Sequence, residues 1–244
     1  MDPEVSIVVP VFDEAGPAPG LAREIAAAFA GTRYEMIFVD DASRDGTPEA
    51  LAGLAAELPA LRLIRHARNA GQSRAIRTGV LAARAPIVIT LDGDGQNDPA
   101  DAPALAGRLS AGPPRLALVG GVRVKRRDTL AKRLGSRLAN GVRRRLLSDN
   151  AADTGCGLKA FRREAYLRLP FFDHQHRFLP ALMRREGYEV AFEPVGHRPR
   201  ASGRSKYTNL GRLAASIWDL AGVIWLTRRA RDPGEVVEAP AKAS

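Results

Sequence analysis

Cysteine is almost absent from this chain, since Cys156 is the only one among its 244 residues. An internal disulfide bond is therefore excluded, and so is a zinc site built from several cysteines. A chain without disulfide bonds is typical of a reducing compartment. The sequence enters a strand-like pattern directly at Val5, which argues against a secretory signal, so we expect a cytoplasmic protein.

Long apolar runs and aromatic residues are also scarce. No stretch reaches the roughly 20 uninterrupted apolar residues that a membrane-spanning helix needs. Aromatic residues make up 6% of the chain, and no basic stripe is interleaved with them. Proteins that stack single-stranded nucleic acid use such aromatics, so this class of binding protein is not favoured.

Positive charge, by contrast, is abundant. The chain has 37 lysines and arginines against 27 aspartates and glutamates, a formal net charge of +10. Such an excess implies an anionic partner, which is nucleic acid, the headgroups of anionic lipids or a phosphorylated substrate. The length and the apolar share of 45% suffice for one large α/β domain or two small ones.

Strand-like and helix-like segments alternate through the first half of the chain. Apolar runs typical of buried strands occupy residues 5–11, 34–39, 61–65, 86–91 and 115–120. Helical patterns lie between them at 21–29, 47–58, 73–83 and 98–109. This alternation with short connections predicts a mostly parallel sheet with helices on both faces. Neither a Gly-x-Gly-x-x-Gly turn after the first strand nor a P-loop is present, so two common nucleotide-binding fingerprints are missing.

Two carboxylates end the fourth of these strands. Asp92 and Asp94 follow the apolar run at once, with Gly93 between them. Open α/β sheets bind their ligands at the carboxyl ends of strands. Two carboxylates in a loop that has no lysine or arginine suit Mg²⁺ or Mn²⁺, which bridges to substrate phosphates. By itself, however, the segment favours an ordinary Asp-Gly turn.

Polar clusters follow other strands as well. They are Asp13-Glu14, Asp40-Asp41 and the segment 69–72. In a parallel sheet these strand ends lie along one edge, so we expect the clusters to converge with Asp92 and Asp94. This convergence, more than any single cluster, favours a binding site over a turn.

The second half of the chain is strongly basic. Residues 123–145 carry ten lysines and arginines, with leucines and a valine at helical spacing. The pattern predicts a basic amphipathic helix over 129–147 that lies on anionic lipid, with a solvated basic face as the alternative.

Two further segments continue this pattern. Residues 197–207 alternate cations with glycine and serine, which suits either a loop that closes on a phosphate or an ordinary flexible surface loop. A last helix over 210–229 carries Trp218 and Trp225 and ends in two arginines, so it is either an interfacial helix or one packed on the domain.

Six segments of the chain, taken together and in order, resemble the inverting family 2 glycosyltransferases. The resemblance is strongest to the branch that makes polyprenyl-phosphate sugars, typified by dolichyl-phosphate mannose synthase. Phe12-Asp13-Glu14 stands where the family usually has Tyr-Asn-Glu, Asp92-Gly93-Asp94-Gly95-Gln96 where it has Asp-Ala-Asp-x-Gln, and Cys156-Gly157-Leu158 where it has Ser-Gly-Phe. The acidic groups are retained. The matching segments are residues 9–14, 40–47, 69–72, 91–96, 153–159 and 203–206.

The resemblance implies a GT-A fold, a UDP- or GDP-linked sugar donor and Mg²⁺ or Mn²⁺. It implies that Asp41 contacts the base, that Asp92 faces the ribose or the sugar, and that Asp94 binds the metal with Gln96 beside it. Catalytic roles fall to Asp92, Asp94 and two cations of the 197–207 loop, Arg200 and Lys206. The remaining donor-site residues are Pro10, Phe12, Glu14, Asn69, Gln72 and Gly93.

The acceptor implied by the resemblance is a polyprenyl phosphate. Its phosphate would be bound by Arg123, Lys132, Arg133 and Ser136. The expected domain division is a catalytic domain over 1–208, with a donor half to about 122 and an acceptor half from about 123. A membrane-interface helix over 209–229 and a disordered tail over 230–244 would follow.

The implied location is peripheral, on the inner face of the cytoplasmic membrane. Relatives in this branch often carry transmembrane helices after the catalytic domain. We therefore expect either a peripheral protein, with room for a membrane-embedded partner protein, or a longer natural chain.

Three alternatives remain open at this point. A family 2 enzyme with a soluble or polymeric glycan acceptor would need neither the basic helix nor the tryptophans. A nucleic-acid-binding module would explain the charge of +10, but the carboxylates at the strand ends would repel phosphates. A catalytically silent scaffold would have no need of Asp92 and Asp94. We therefore expect no nucleic acid partner.

Overall fold

The computed structural model describes residues 2–124, 147, 151, 153–199 and 209–231, the range 209–216 by its backbone alone. Seven strands form one sheet: β1 (Val5–Val11), β2 (Tyr34–Asp40), β3 (Leu61–Arg65), β4 (Ile87–Thr90), β5 (Leu116–Arg123), β6 (Lys159–Arg162) and β7 (Glu189–Val195). The helices are α1 (Pro17–Ala28), α2 (Thr47–Ala52), α3 (Gln72–Ala82), α4 (Ala102–Ala111), α5 (Arg163–Arg168), α6 (Leu179–Arg185) and α7 (Asn209–Arg229). Short 3₁₀ helices occupy Pro99–Asp101 and Gln175–Arg177.

The sheet is mostly parallel, as predicted. Its order is β3-β2-β1-β4-β6-β5-β7, and β6 alone among these strands runs antiparallel, against both of its neighbours. Thr90 at the end of β4 pairs with Lys159 at the start of β6. The reversed strand therefore begins at the edge where the parallel strands end, which brings its first residues to the predicted site.

Helices cover both faces of the sheet because the central strands are apolar on both sides. In β1, Ile7 and Val9 face a core shared with α1, α2 and α4, whereas Val8 faces a second core shared with α3, α5 and α6. All three side chains are fully buried. The alternation follows from the twofold side-chain period of a strand.

Several helix boundaries differ from the sequence prediction; α4, for instance, begins at Ala102 rather than at residue 98, after a 3₁₀ turn. The helix predicted to run from 47 to about 58 ends at Ala52, because Gly53 is a poor helix former and Leu54 and Ala55 continue in tighter turns. The first helix begins at Pro17 rather than Leu21, since proline is well suited to the first turn of a helix.

Helix α7 packs on the domain through one face. Val223 is buried, and Arg185 of α6 donates a hydrogen bond to the carbonyl oxygen of Leu226 at 3.2 Å. Trp218 and Trp225 lie on the opposite face, with 78% and 60% of their surface exposed. Among the described helices, none combines the length and the apolar character that crossing a bilayer requires. The predicted helix over 129–147 lies almost wholly outside the described residues.

Candidate functional site

Polar side chains from four strands meet at one edge of the sheet. The ends of β1, β2 and β4 lie side by side, because Val11 pairs with Asp40 and Val8 with Thr90. The loop after each of these strands carries part of the predicted site, and β6 adds Lys159 from the other side. The convergence expected from the sequence is therefore present.

Asp41 is buried and organises the loop that follows β3. Its carboxylate accepts hydrogen bonds from the backbone N–H groups of Ala70, at 2.9 Å, and Gly71, at 2.8 Å. Asn69 completes the contact, since its side-chain amide donates to the backbone oxygen of Asp41 at 3.1 Å. Gly71 adopts a φ of 87°, a conformation that favours glycine. Asp41 and Asn69 thus shape the predicted nucleoside pocket together.

His66 belongs to this arrangement, although it was not among the predicted site residues. Its Nδ1 lies 2.7 Å from Asp41 Oδ1, and its Nε2 lies 2.9 Å from the hydroxyl of Thr78. It follows the last residue of β3, so its position after a strand was the one signal available. It ties Asp41 to helix α3.

The loop after β1 is held against the loop after β2. The backbone N–H of Asp13 donates to Ser43 Oγ and that of Glu14 donates to Thr47 Oγ1, both at 2.9 Å. Phe12 and Glu14 are partly exposed beside these contacts, and Pro10 lies in β1 just before them. The side chains predicted to line the nucleoside pocket are therefore presented from an ordered loop.

Asp92 lies at the centre of the edge. Its Oδ1 accepts a hydrogen bond from the side-chain amide of Gln72 at 2.8 Å, and its backbone N–H donates to Asn97 Oδ1 at 3.0 Å. Burial, together with the neighbouring carboxylate of Asp94, raises the pKa of Asp92. Lys159, Gln72 and Arg123 oppose this rise.

Two glycines allow the loop to pack this closely. A β-carbon on residue 93 would lie 2.7 Å from the carbonyl oxygen of Pro10. A β-carbon on residue 157 would lie 2.2 Å from Asp92 Oδ2. Neither approach is compatible with a larger residue, so Gly93 and Gly157 are required by the geometry of the site.

Asp94 presents a carboxylate with spare capacity. Its Oδ1 accepts the backbone N–H of Gln96 at 3.1 Å, and Oδ2 has no hydrogen-bond partner within the described residues. Gln96 in turn contacts the segment after β7, since its backbone oxygen accepts the N–H of Arg198 at 2.9 Å. No group of three or more His, Cys, Asp or Glu side chains within the described ranges could hold a metal by itself. One or two carboxylates completed by substrate phosphates are, however, the donor set in which Mg²⁺ is usually bound, so the Asp94 carboxylate fits such an ion.

A small cavity, with room for about one water molecule, lies beside Asp92. Lys159 reaches it from β6 and His176 from the 3₁₀ helix before α6. Burial, with the charges of Cys156, Asp92 and Asp153 opposing it, lowers the pKa of Lys159. Its ammonium group donates to the backbone oxygen of Cys156. The residues lining the cavity are Gln72, Ile76, Thr90, Leu91, Asp92, Gly157, Lys159, His176 and Leu179.

His176 was also missed by sequence reasoning. Its Nδ1 lies 2.7 Å from Ser73 Oγ, and its backbone N–H donates to the same oxygen at 3.3 Å. Burial first, and then the positive charges of Lys159, Arg177 and His174, hold the pKa of His176 well below its usual value. The imidazole is therefore neutral near pH 7. Ser73 and His176 are 103 positions apart, so no local pattern could pair them.

Arg123, one of the residues predicted to bind the acceptor phosphate, lies at the end of β5. It forms a two-pronged ion pair with Asp153, with Nε to Oδ2 at 2.6 Å and Nη2 to Oδ1 at 2.8 Å. Both side chains are largely buried. In its predicted role, the Arg123 guanidinium would contact the acceptor phosphate and the Asp153 carboxylate at the same time. The other predicted cations and the serine lie outside the described residues: Lys132, Arg133, Ser136, Arg200 and Lys206.

The arrangement as a whole can bind an anionic ligand with the help of a cation. Asp94 lies close enough to Asp92 for its charge to raise the pKa of Asp92, and the combined negative charge of the two carboxylates would repel a diphosphate unless a divalent cation lay between. The strand ends offer backbone and amide groups for a nucleoside on one side. Arg123 and Lys159 supply positive charge on the other.

Comparison with known proteins gives the same picture. Residues 6–169, more than half of the chain, match the model of Glycosyl transferase family 2. The chain is 34% identical to dodecaprenyl-phosphate galacturonate synthase of Rhizobium johnstonii over 95% of its own length and 69% of that protein. It is 36% identical to undecaprenyl-phosphate 4-deoxy-4-formamido-L-arabinose transferase of Pseudomonas paraeruginosa over 88% of its own length. The chain spans 63% of the length of that second relative.

Solved structures share the fold. One is glucosyl-3-phosphoglycerate synthase from Mycobacterium tuberculosis, crystallised with Mn²⁺, UDP and glucosyl-3-phosphoglycerate. It has a TM-score of 0.70 and 19% identity, and the match covers 95% of this chain and 82% of that one. Another is a mannosyltransferase from Pyrobaculum calidifontis in complex with GDP-Man and Mn²⁺. It has a TM-score of 0.63 and 24% identity over 84% of this chain and 59% of that one.

Proposed function

This chain belongs to glycosyl transferase family 2, in its polyprenyl-phosphate branch, and from that premise we propose that it transfers a sugar from a nucleotide-diphosphate donor to a polyprenyl phosphate. The family and the GT-A fold predicted from the sequence are both confirmed. The observation that carries the proposal is the meeting of Asp41, Gln72, Asp92 and Asp94 at one edge of the sheet.

The donor would lie along the loops that follow β1, β2 and β4. Asp41 and Asn69 would shape the pocket for the base, with Pro10, Phe12 and Glu14 opposite. UDP and GDP are both compatible with these groups. Asp92 would face the ribose or the sugar, since the Gln72 amide holds its carboxylate at the centre of the site.

Mg²⁺ or Mn²⁺ would be held by Asp94, with Gln96 beside it and the donor diphosphate completing the shell. Asp94 Oδ2 supports this assignment because it has no competing partner in the described part of the chain. When bound, the ion neutralises the negative charge that builds up on the departing diphosphate. The structural relatives that were crystallised with Mn²⁺ and UDP or GDP-Man are consistent with such an ion.

The acceptor needs little activation by the protein. A phosphate monoester is already anionic at pH 7, so its oxygen can attack the anomeric carbon once it is positioned. Attack from the face opposite the leaving diphosphate inverts the configuration at that carbon. Arg123, held rigid by Asp153, would orient the acceptor phosphate together with Lys132, Arg133 and Ser136. Arg200 and Lys206 would stabilise the charge on the leaving group.

The acceptor would be taken from a membrane surface. The net charge of +10 and the tryptophans on the outer face of α7 suit a peripheral position on anionic lipid, at the inner face of the cytoplasmic membrane. A membrane-embedded partner protein is compatible with this position. The relatives named above are polyprenyl-phosphate sugar transferases, which favours a lipid acceptor over a soluble glycan.

The test is a screen of UDP- and GDP-linked sugars with undecaprenyl phosphate and Mn²⁺, scored by lipid-linked product. The proposal expects product with at least one donor, and loss of product in Asp94→Ala. Donor hydrolysis or transfer to water-soluble glycans without any lipid-linked product would overturn the lipid acceptor. Failure of every nucleotide to bind would overturn the donor site.

A further inference from the structure

A short segment of chain, residues 171–177, contacts both helix α7 and the first turn of α3 at the donor site. We call it the linking segment. It runs between α5 and α6; Phe171 and His176 contact α3, and His174 between them contacts α7. Its contacts suggest a task beyond joining two helices.

At the donor site, the linking segment holds the first turn of α3. Ser73 lies within hydrogen-bond distance of His176 through both its ring and its backbone, at 2.7 and 3.3 Å. The two residues before Ser73 contact the site carboxylates directly, Gly71 through its N–H to Asp41 and Gln72 through its amide to Asp92. A displacement of His176 would therefore alter the hydrogen bonds to the carboxylates of Asp41 and Asp92.

The linking segment also holds α7. His174 Nδ1 lies 2.8 Å from Asp219 Oδ2, and His174 adopts the left-handed conformation with a φ of 62°. Such a conformation is uncommon outside glycine and is maintained by its surroundings. Both side chains of the pair are mostly buried, with 32% and 19% exposed.

Further contacts fix the linking segment in place. Gln175 is completely buried, its amide donates to the backbone oxygen of Pro170 at 2.9 Å, and its carbonyl accepts the hydroxyl of Tyr166 at 3.1 Å. Phe171 packs under the guanidinium of Arg74, 3.9 Å from the ring centre. A rigid connection transmits a displacement instead of absorbing it.

The outer face of α7 is suited to lipid. Trp218 precedes Asp219 directly, yet it points to solvent, and Trp225 and Ile217 share its face. Arg228 and Arg229 follow at the end of the helix, so the apolar face is bordered by cations that match anionic headgroups. The same helix therefore offers tryptophans to a membrane and a carboxylate to the linking segment.

We propose that the linking segment couples binding of α7 to an anionic membrane with the order of the donor site, so that the membrane-bound protein binds its nucleotide more tightly. The coupling rests on the proposed function, since it presumes a nucleoside diphosphate site at Asp41 and Asp92. Lipid that fixes α7 reduces the freedom of His174, His176 and the first turn of α3. Nucleotide binding to the membrane-bound protein then costs less conformational entropy.

The test measures the Kd of UDP and of GDP, each with Mn²⁺, for the full chain in solution and on vesicles containing phosphatidylglycerol. We expect vesicles to lower the Kd about fivefold or more, within the usual range of allosteric coupling. Asp219→Ala should still bind vesicles, because the tryptophans remain. Its Kd for the nucleotide, however, should be the same with and without vesicles. Thr227→Ala is the matched control on α7, since Thr227 bonds within its own helix, to Val223.

A second variant is needed in case Asp219→Ala releases helix α7 from the domain altogether. His174→Asn keeps a residue that tolerates the left-handed conformation but is too short to reach Asp219 as the imidazole does. In this variant, as in Asp219→Ala, vesicles should no longer lower the Kd of the nucleotide. The double variant should have the same Kd as either single variant. An unchanged vesicle effect in both variants, or a wild-type Kd that vesicles do not alter, would overturn the coupling alone. A wild type that binds neither nucleotide in either state would overturn the donor site itself.

Discussion

Gly157 and Asp92 lie in contact, so that a β-carbon on residue 157 would come within 2.2 to 2.4 Å of the whole carboxylate group of Asp92. The carboxylate rests on the backbone of residue 157, and Thr90 fixes that backbone by donating to its carbonyl oxygen at 2.8 Å. The contact joins the loop after β4 to the turn before β6. It makes the position of a central site residue depend on a glycine 65 residues away in the sequence.

Gly157→Ala should therefore displace Asp92 and reduce activity. A displacement of about 1 Å at a reacting centre costs on the order of 10²-fold in rate, and we expect a loss of that size in the glycosyl transfer assay. Gly107→Ala is the matched control, because no atom lies within 4 Å of its added β-carbon. That control, inside α4, should leave activity unchanged and raise the free energy of unfolding by about 0.5–1 kcal/mol. Full activity of Gly157→Ala would show that the position of Asp92 is not critical.

Asp94→Ala should remove the metal-binding carboxylate. The expected loss of turnover is roughly 10²–10³-fold, comparable with removal of one strong charge-stabilising group. A chelator should bring the wild type down to about the same level, and the variant should respond little to added Mn²⁺. Glu57→Ala, which only breaks an exposed pair with Arg23, is the control that should behave as wild type. Near wild-type turnover in Asp94→Ala would contradict the metal assignment.

His176 should make the protein less stable in mild acid. The pKa of His176 is held well below 6.5 in the folded state, so the folded protein binds fewer protons than the unfolded chain below that pH. Stability is thus complete above pH 6.5 and falls as the pH is lowered, by up to about 1.4 kcal/mol per pH unit for one proton.

The measurement is urea unfolding of the wild type and His176→Asn between pH 7 and pH 5. The wild type should lose stability over this interval more steeply than the variant. Gly107→Ala should show the slope of the wild type, because it alters no titrating group. If the free energy of unfolding fell equally with pH in the wild type and in His176→Asn, the neutral imidazole would be ruled out as the source of the loss of stability in acid.

Arg123→Lys should affect the acceptor rather than the donor. Lysine keeps the charge but cannot form the two-pronged contact with Asp153, so the group that orients the acceptor phosphate loses its fixed position. We expect the KM for polyprenyl phosphate to rise about tenfold while the KM for the donor stays the same, following the usual cost of a lost charge-assisted contact. Arg108→Lys, in an exposed pair with Glu193, is the control. A rise in the donor KM instead would place Arg123 on the other side of the site.

The sequence by itself determined the elements and the part of the site that follows strands. Apolar runs and helical spacing are local, so β1 to β5, α1, α3 and α4 could be predicted to within a few residues. Asp41, Asp92 and Asp94 could be singled out because each follows a strand, and parallel strands bring such positions to one edge. The same rule did not single out His66, since one histidine after a strand carries little information.

Only the tertiary structure decided which side chains meet. The pairs His66–Asp41, His176–Ser73 and Arg123–Asp153 join residues that are 25 to 103 positions apart. The reversal of β6 places Gly157 and Lys159 beside Asp92, and no local pattern encodes the direction of a short strand. The burial of one face of α7 likewise depends on α6 and His174. Sequence periodicity reports which residues share a surface, whereas packing of the whole chain decides what that surface contacts.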